Sequence, residues 1–300
     1  MDFILNDLLE QHVRVLVIAT FFGLIFSLLA WKLGYYCAVR SSSNKIQQVK
    51  GEHVLVAFGL FFIVEAIVVP SLYLFWLSFE RGEWVISLAH TPDGSMQGWL
   101  NLLGILCAAV VLALFCRNLN SDERHMIWGN HHSDSKRWQF AIDLCLGAVT
   151  WIIVYPWIVV NVQVIDIVLE LGNNSTQVEQ VAVKHVKDAL SNPALLWTTM
   201  IAVVTIVPCL EELLFRGFLQ TWLKGYFGRS VAIGITAAVF ACFHYSSRQG
   251  MENVELLLSL FILACYLGFL RERQNSIWAS MGLHAAFNGV SLLMIVVGGF

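Results

Sequence analysis

Apolar segments of about twenty residues recur along the whole chain and are separated by shorter polar connections. A helix needs about 20 such residues to cross roughly 30 Å of hydrocarbon. The chain is 58% hydrophobic and 13% charged, whereas soluble domains are about 45–50% apolar and about 25% charged. We therefore predict an all-α, polytopic integral membrane bundle with about eight transmembrane helices: residues 13–36, 54–78, 98–116, 139–161, 196–215, 230–246, 255–270 and 277–298.

The positions of the charges predict how these spans are oriented. Twelve of the eighteen lysines and arginines lie at the connections that follow the first, third, fifth and seventh spans. The positive-inside rule places those connections in the cytoplasm and both termini outside. Asp2, Asp7 and Glu10 precede the first span, where a cleavable signal peptide would be positive, so we expect a retained span. The net charge of −3 offers no basic surface for nucleic acid, and the seven scattered cysteines predict no disulfide framework.

Three charged residues lie inside or directly after the fifth predicted span: Glu211, Glu212 and Arg216. A charged side chain at membrane depth costs about 2.5–3.5 kcal/mol on insertion scales, so three within six residues indicate function. Glu212 and Arg216 are four apart and are predicted to pair on one helix face. Glu211 is rotated by about 100° and stays free to act on water. The alternative is a buried ion pair that only fixes the helix register.

Two pairs of polar and aromatic residues follow in later apolar segments. His244 ends the sixth segment, four residues after Phe240, and His284 and Asn288 share one face of the last span. An interfacial histidine and an interhelical hydrogen-bonding pair are the structural alternatives. Counting 1.5 Å per residue from the predicted span ends puts His244 near the outer face, whereas Glu211 and His284 lie towards the cytoplasm.

The common signatures of other hydrolases are absent. The chain has no His-Glu-x-x-His zinc motif and no Gly-x-Ser-x-Gly nucleophile motif. A set of one acid and two imidazoles, Glu211, His244 and His284, is still compatible with zinc and an open coordination position. Zinc therefore stays open as a cofactor.

Three motifs in this order resemble a known family of membrane proteins. They are Glu211-Glu212-Leu-Leu-Phe-Arg216, Phe240-Ala-Cys-Phe-His244 and His284-Ala-Ala-Phe-Asn288. Each motif is weak alone, but the order and spacing together are similar to the CPBP group, which comprises the CAAX prenyl endopeptidases and the bacteriocin-processing (Abi) proteins. The resemblance covers about residues 196–295.

The resemblance implies an eight-span protease that cleaves peptide bonds within or beside the membrane. Carried over residue by residue, it assigns water activation to Glu211 and His244, and donation of hydrogen bonds to the oxyanion to His284 and Asn288. The supporting residues are Glu212, Arg216 and Phe240. For the motif chemistry that the resemblance implies, a metal-free mechanism is favoured over zinc. The bacterial type of the residues that flank the motifs favours a prokaryotic plasma membrane.

Two other kinds of function remain as alternatives. One is a non-catalytic immunity or partner-binding protein of the same family, and the other is an ion-coupled transporter, against which the lack of inverted repeats argues. We expect membrane lipid and a peptide or protein substrate, lipid-modified or not, as partners. The oligomeric state stays open. Residues 1–195 are predicted to form the N-terminal spans and residues 196–300 the catalytic core, within one structural unit.

Overall fold

A computed structural model describes residues 2–37, 49–82, 94–129, 138–172, 186, 189–190, 192–247 and 249–298. These residues form eight helices and no strand, as the all-α prediction requires. The helices are α1 (Asp2–Lys32), α2 (Gly51–Arg81), α3 (Gly94–Asn118), α4 (Ser121–Trp128), α5 (Gln139–Leu171), α6 (Pro193–Cys242), α7 (Glu252–Gln274) and α8 (Ile277–Gly298).

Seven of these eight helices, all except α4, are long and apolar enough to cross a membrane. The expected count of about eight spans differs because the predicted fifth and sixth spans belong to one helical stretch. That stretch, α6, contains 50 residues and would be about 75 Å long if straight, more than twice the hydrocarbon thickness. It is not straight.

A sharp turn at Gly228 folds α6 into a hairpin. The backbone there has φ 75° and ψ 175°, a conformation that essentially only glycine adopts. Beyond the turn, the second arm of α6 (residues 229–242) returns along the first arm (residues 193–227), since the ring of Phe240 lies 5.0 Å from that of Phe215. The predicted fifth span ends at residue 215, whereas the first helix continues beyond it up to the glycine.

Charged residues surround this turn and hold it to α7. Lys224 and Arg229 contact the Glu272 carboxylate at 3.1 and 3.3 Å, and Gln220 donates to the same group at 3.2 Å. Both basic residues were expected at a cytoplasmic connection between two spans. They do lie at a turn between two helical arms, as residues at a membrane surface would. The orientation itself stays a prediction. Four more basic residues that were predicted to be cytoplasmic, at positions 40, 45, 136 and 137, lie outside the described residues.

Two π-helical segments each end two residues before a proline. Val64–Val68 precedes Pro70 in α2, and Ala202–Ile206 precedes Pro208 in α6. A proline has no N–H to donate, and its ring clashes with the carbonyl four residues earlier. The wider π turn accommodates the ring, and such turns are frequent at functional sites.

The helix α5 packs against α1, α7 and α8. Its contact with α8 is backbone to backbone. A methyl group added at Gly147 would lie 1.9 Å from the Ala279 carbonyl oxygen, and one at Gly282 would lie 2.0 Å from the Leu144 carbonyl oxygen. These two glycines therefore set the position of α8, which carries His284 and Asn288. The division at residue 195 stays a prediction.

Candidate active site

The hairpin and α8 bring an acid and two imidazoles together. Glu211 Oε1 lies 4.0 Å from His244 Nε2, and Glu211 Oε2 lies 3.6 Å from His284 Nε2. Glu211 and His244 are partly accessible, with 21% and 33% of their side chains exposed, whereas His284 is buried. The three groups form one cluster with access from a single side.

The turn at Gly228 explains why His244 lies beside Glu211. The two residues are almost equally far from Gly228 in sequence, on opposite arms of the hairpin. Because the arms run in opposite directions, both residues reach the same level. The expectation that His244 lies near the opposite membrane face is therefore wrong. It assumed that the first arm ended at residue 215, well before the actual turn.

Hydrogen bonds orient the imidazole of His244. Its Nδ1 lies 2.9 Å from the Phe240 carbonyl oxygen. A carbonyl only accepts, so Nδ1 carries the proton and donates it. In the neutral ring, Nε2 then has a free lone pair that faces Glu211. The gap of 4.0 Å is too long for a direct hydrogen bond and is suited to one bridging water.

His284 lies between two carboxylates. Its Nδ1 is 2.8 Å from Glu212 Oε1, and its Nε2 faces Glu211. An ionised carboxylate only accepts, so Nδ1–H donates to Glu212. In a neutral ring Nε2 is then an acceptor, and it can donate only when the ring is doubly protonated. The bond between Glu212 and His284 is absent from the sequence expectations, because no spacing within one helix predicts it.

Glu212 and Arg216 form the ion pair that their spacing predicts. Arg216 Nη1 donates to Glu212 Oε1 at 2.9 Å, and both side chains are fully buried. The guanidinium also donates to the Ala264 carbonyl of α7 at 3.1 Å and lies 4.6 Å from the centre of the Phe240 ring. Arg216 thus connects both arms of α6 with α7.

Phe240 packs against Arg216 and against both imidazoles of the accessible cluster. It is fully buried, and its ring centre lies 4.8 Å from that of His244 and 5.8 Å from that of His284. The ring therefore restricts the movement of both imidazoles while its face contacts the Arg216 cation. This position agrees with the supporting role expected for Phe240.

Asn288 lies one helical turn beyond His284 and faces the same space. Its Nδ2 donates to the Val203 carbonyl oxygen at 3.0 Å, within the π segment of α6. A carboxamide nitrogen carries two hydrogens, so the second remains available for a ligand. The π segment thus supplies an unpaired carbonyl that orients Asn288.

A cavity of about 650 Å³ opens beside the cluster, within the usual range of ligand sites, about 300–1,000 Å³. Glu211, His244, His284 and Asn288 all line it. Most of the remaining wall is apolar and comes from α3, α5, both arms of α6, α7 and α8. Such a wall favours apolar groups next to the polar cluster.

Glu211, His244 and His284 are also the suggested zinc ligands, and whether they bind the ion stays a prediction. Zinc needs its ligand atoms about 2.0–2.2 Å from the ion. Within the described ranges, no three histidine, cysteine, aspartate or glutamate side chains are arranged closely enough to hold a metal ion. Glu211, His244 and His284 lie next to one another but do not form such a group. The reaction proposed for them uses these side chains alone.

Comparison with known families identifies this region. Residues 193–290, about a third of the chain, match the model of the type II CAAX prenyl endopeptidase Rce1-like family. Searches of curated proteins and of solved structures found no match. The matched range contains all three motifs, and this family is one of membrane proteases. The chain is an integral membrane protein whose residues 193–290 match the Rce1-like CAAX endopeptidase family, in agreement with the predicted CPBP resemblance.

Proposed function

We propose that the protein is an intramembrane endopeptidase that hydrolyses peptide bonds of membrane-associated or lipid-modified substrates. The observation that carries the proposal is the gap between Glu211 Oε1 and His244 Nε2, 4.0 Å wide and open to an apolar cavity. A water in that gap donates one hydrogen to the carboxylate and the other to the imidazole lone pair, and both of these groups are bases. The matched family supports the same reaction class.

In the proposed reaction, Glu211 and His244 together activate the water. Its oxygen attacks the carbonyl carbon of the substrate while a proton passes to the Glu211–His244 pair. The resulting tetrahedral oxyanion collapses, the C–N bond breaks, and the same proton moves to the leaving amine. General acid–base catalysis of this kind typically contributes about 10²–10⁴-fold.

His284 and Asn288 are proposed to stabilise the oxyanion. The Nδ1–H of His284 is held by Glu212, so a cationic ring directs its Nε2–H towards the reacting group. The free N–H of Asn288 is the second donor. Each donor that is aligned in advance in such a site is worth about 2.7–4 kcal/mol. Glu212, Arg216 and Phe240 position these groups without touching the substrate.

Cleavage of a fluorogenic membrane peptide by purified protein in lipid nanodiscs tests the proposal. We expect His244→Ala to lower kcat by about 10²–10⁴-fold and His284→Ala by about 10²–10³-fold. Both variants should keep the wild-type size-exclusion profile. Wild-type turnover by either folded variant refutes the assigned role.

The same variants separate the enzyme from its alternative, a non-catalytic immunity or partner-binding protein. A binding protein has no use for an oxyanion donor. The alternative therefore predicts that His284→Ala leaves the cellular phenotype intact, whereas the protease proposal predicts its loss. A prokaryotic plasma membrane with both termini outside is part of the proposal, and accessibility labelling of cysteines introduced at each terminus tests the orientation.

A further inference from the structure

One wall of the cavity comes from outside the region that matches the family. Gly98, Asn101, Leu102 and Ile105 of α3 all line the cavity beside Glu211. Their spacing of three, four and seven residues places them on one face of the helix. The matched region begins only at residue 193, so this stripe is a contribution of the N-terminal part of the chain.

Close packing fixes the wall relative to the site. A methyl group added at Gly98 would lie 2.9 Å from a methyl carbon of Leu195, at the start of α6. Leu102, one turn further, is buried with Leu195 and Ala202. Both contacts are made to the first arm of α6, the arm that carries Glu211. The distance between the α3 wall and the catalytic acid is therefore set by packed side chains.

Asn101 is the only polar residue of this stripe, and a neighbour orients it. Gln97 Nε2, one turn earlier, donates to Asn101 Oδ1 at 2.8 Å. With its oxygen held in this way, the carboxamide has its NH₂ group left for another partner. Polar groups within spans are usually retained for helix–helix hydrogen bonds or for function. Asn101 bonds within its own helix and lines the cavity, which favours function.

We infer that α3 is the substrate-binding wall of the cavity and that Asn101 hydrogen-bonds the peptide backbone of the substrate. This inference rests on the proposed peptidase function. A peptide that enters an apolar cavity loses its hydrogen bonds to water, and each group without a new partner is costly. In this arrangement, Leu102 and Ile105 contact the side chains of the substrate. Asn101 supplies a hydrogen-bond partner for a peptide group of the substrate, which the two apolar side chains cannot do.

Kinetics of three variants test the inference. Because a neutral hydrogen bond to the bound substrate is lost, we expect Asn101→Leu to raise KM roughly threefold to tenfold and to leave kcat within about twofold. Gln97→Met should also raise KM, but by less than Asn101→Leu does, because it removes only the hydrogen bond that orients the Asn101 carboxamide. Asn118→Leu makes the same substitution at an exposed position at the end of α3 and should leave both constants unchanged.

Peptides with single backbone esters separate a direct contact from a structural effect. An ester removes the N–H and weakens the carbonyl as an acceptor. At one position near the cleaved bond, the ester should raise the KM of the wild type but not that of Asn101→Leu. Equal KM values for Asn101→Leu and wild type, or additive ester effects at every position, overturn the inference.

The outcome for this inference is distinguishable from the outcome for the protease itself. If the wild type cleaves and Asn101→Leu has the wild-type KM, only the role of α3 is wrong. If the wild type cleaves nothing, the proposed function fails. The role of α3 is then tested by fluorescence anisotropy, which measures binding of the labelled peptide to Glu211→Gln protein. Adding Asn101→Leu to that variant must weaken binding roughly threefold to tenfold.

Discussion

The buried ion pair between Glu212 and Arg216 makes a sharp prediction about stability. In Arg216→Met, the fully buried Glu212 loses its guanidinium partner, and α7 loses the hydrogen bond to the Ala264 carbonyl. Removing one partner of a buried pair typically costs about 3–5 kcal/mol, because the other charge stays buried without compensation. His284 Nδ1 still contacts Glu212 at 2.8 Å, so we expect the lower end, about 3 kcal/mol.

A second substitution tests whether the uncompensated charge causes that loss. Glu212→Gln combined with Arg216→Met removes both charges and keeps an oxygen for His284 to bond. The double variant should therefore be more stable than Arg216→Met alone, by at least about 1 kcal/mol. Unfolding free energies come from denaturant titration of the detergent-solubilised protein, followed by tryptophan fluorescence.

The chain offers a control with the same spacing and opposite burial. Arg14 pairs with Glu10, also four residues apart, but the two side chains are 71% and 61% exposed. Exposed pairs contribute little to stability, so Arg14→Met should leave the unfolding midpoint unchanged. An Arg216→Met variant as stable as Arg14→Met, or a double variant less stable than Arg216→Met, refutes the reasoning.

Three further predictions follow from the packing and the site. Gly282→Ala should destabilise the protein by at least about 1–3 kcal/mol in the same unfolding assay, whereas Gly234→Ala, which meets no atom within 4 Å, should not; equal stability of the two contradicts the contact between α5 and α8. Gly228→Ala should cost about 1–3 kcal/mol because of its positive φ, and an unchanged midpoint contradicts a strained turn. Treatment with a chelator should leave peptide cleavage unchanged, and metal analysis should find less than one zinc per chain; a loss of activity that zinc restores contradicts the metal-free proposal.

The helical class and the motif residues were within reach of sequence reasoning. Apolar segments of span length predict helices irrespective of their neighbours, because the bilayer sets the required length. The four-residue spacing of Glu212 and Arg216 predicts their ion pair, since both lie on one helix face. These inferences depend only on local geometry, and the structure agrees with them.

The level of His244 and the partner of His284 were beyond such reasoning. A single residue, Gly228, decides where α6 turns, and the aromatic residues directly before it, Tyr226 and Phe227, do not mark that position. The bond between His284 and Glu212 depends on how α8 is rotated against α6, which the close contact at Gly147 and Gly282 sets. Contacts between segments that are far apart in the chain produce no periodic pattern in a single sequence.

The most direct test of the proposed site is the turnover of Glu211→Gln compared with that of Glu65→Gln. Both substitutions remove a carboxylate from a membrane-spanning helix and keep the size of the side chain, but Glu65 lies in α2 and is not among the residues that line the cavity. Peptide cleavage in nanodiscs should fall by at least about 10²-fold in Glu211→Gln and stay near wild type in Glu65→Gln. Undiminished cleavage by folded Glu211→Gln protein contradicts a reaction centred on this carboxylate.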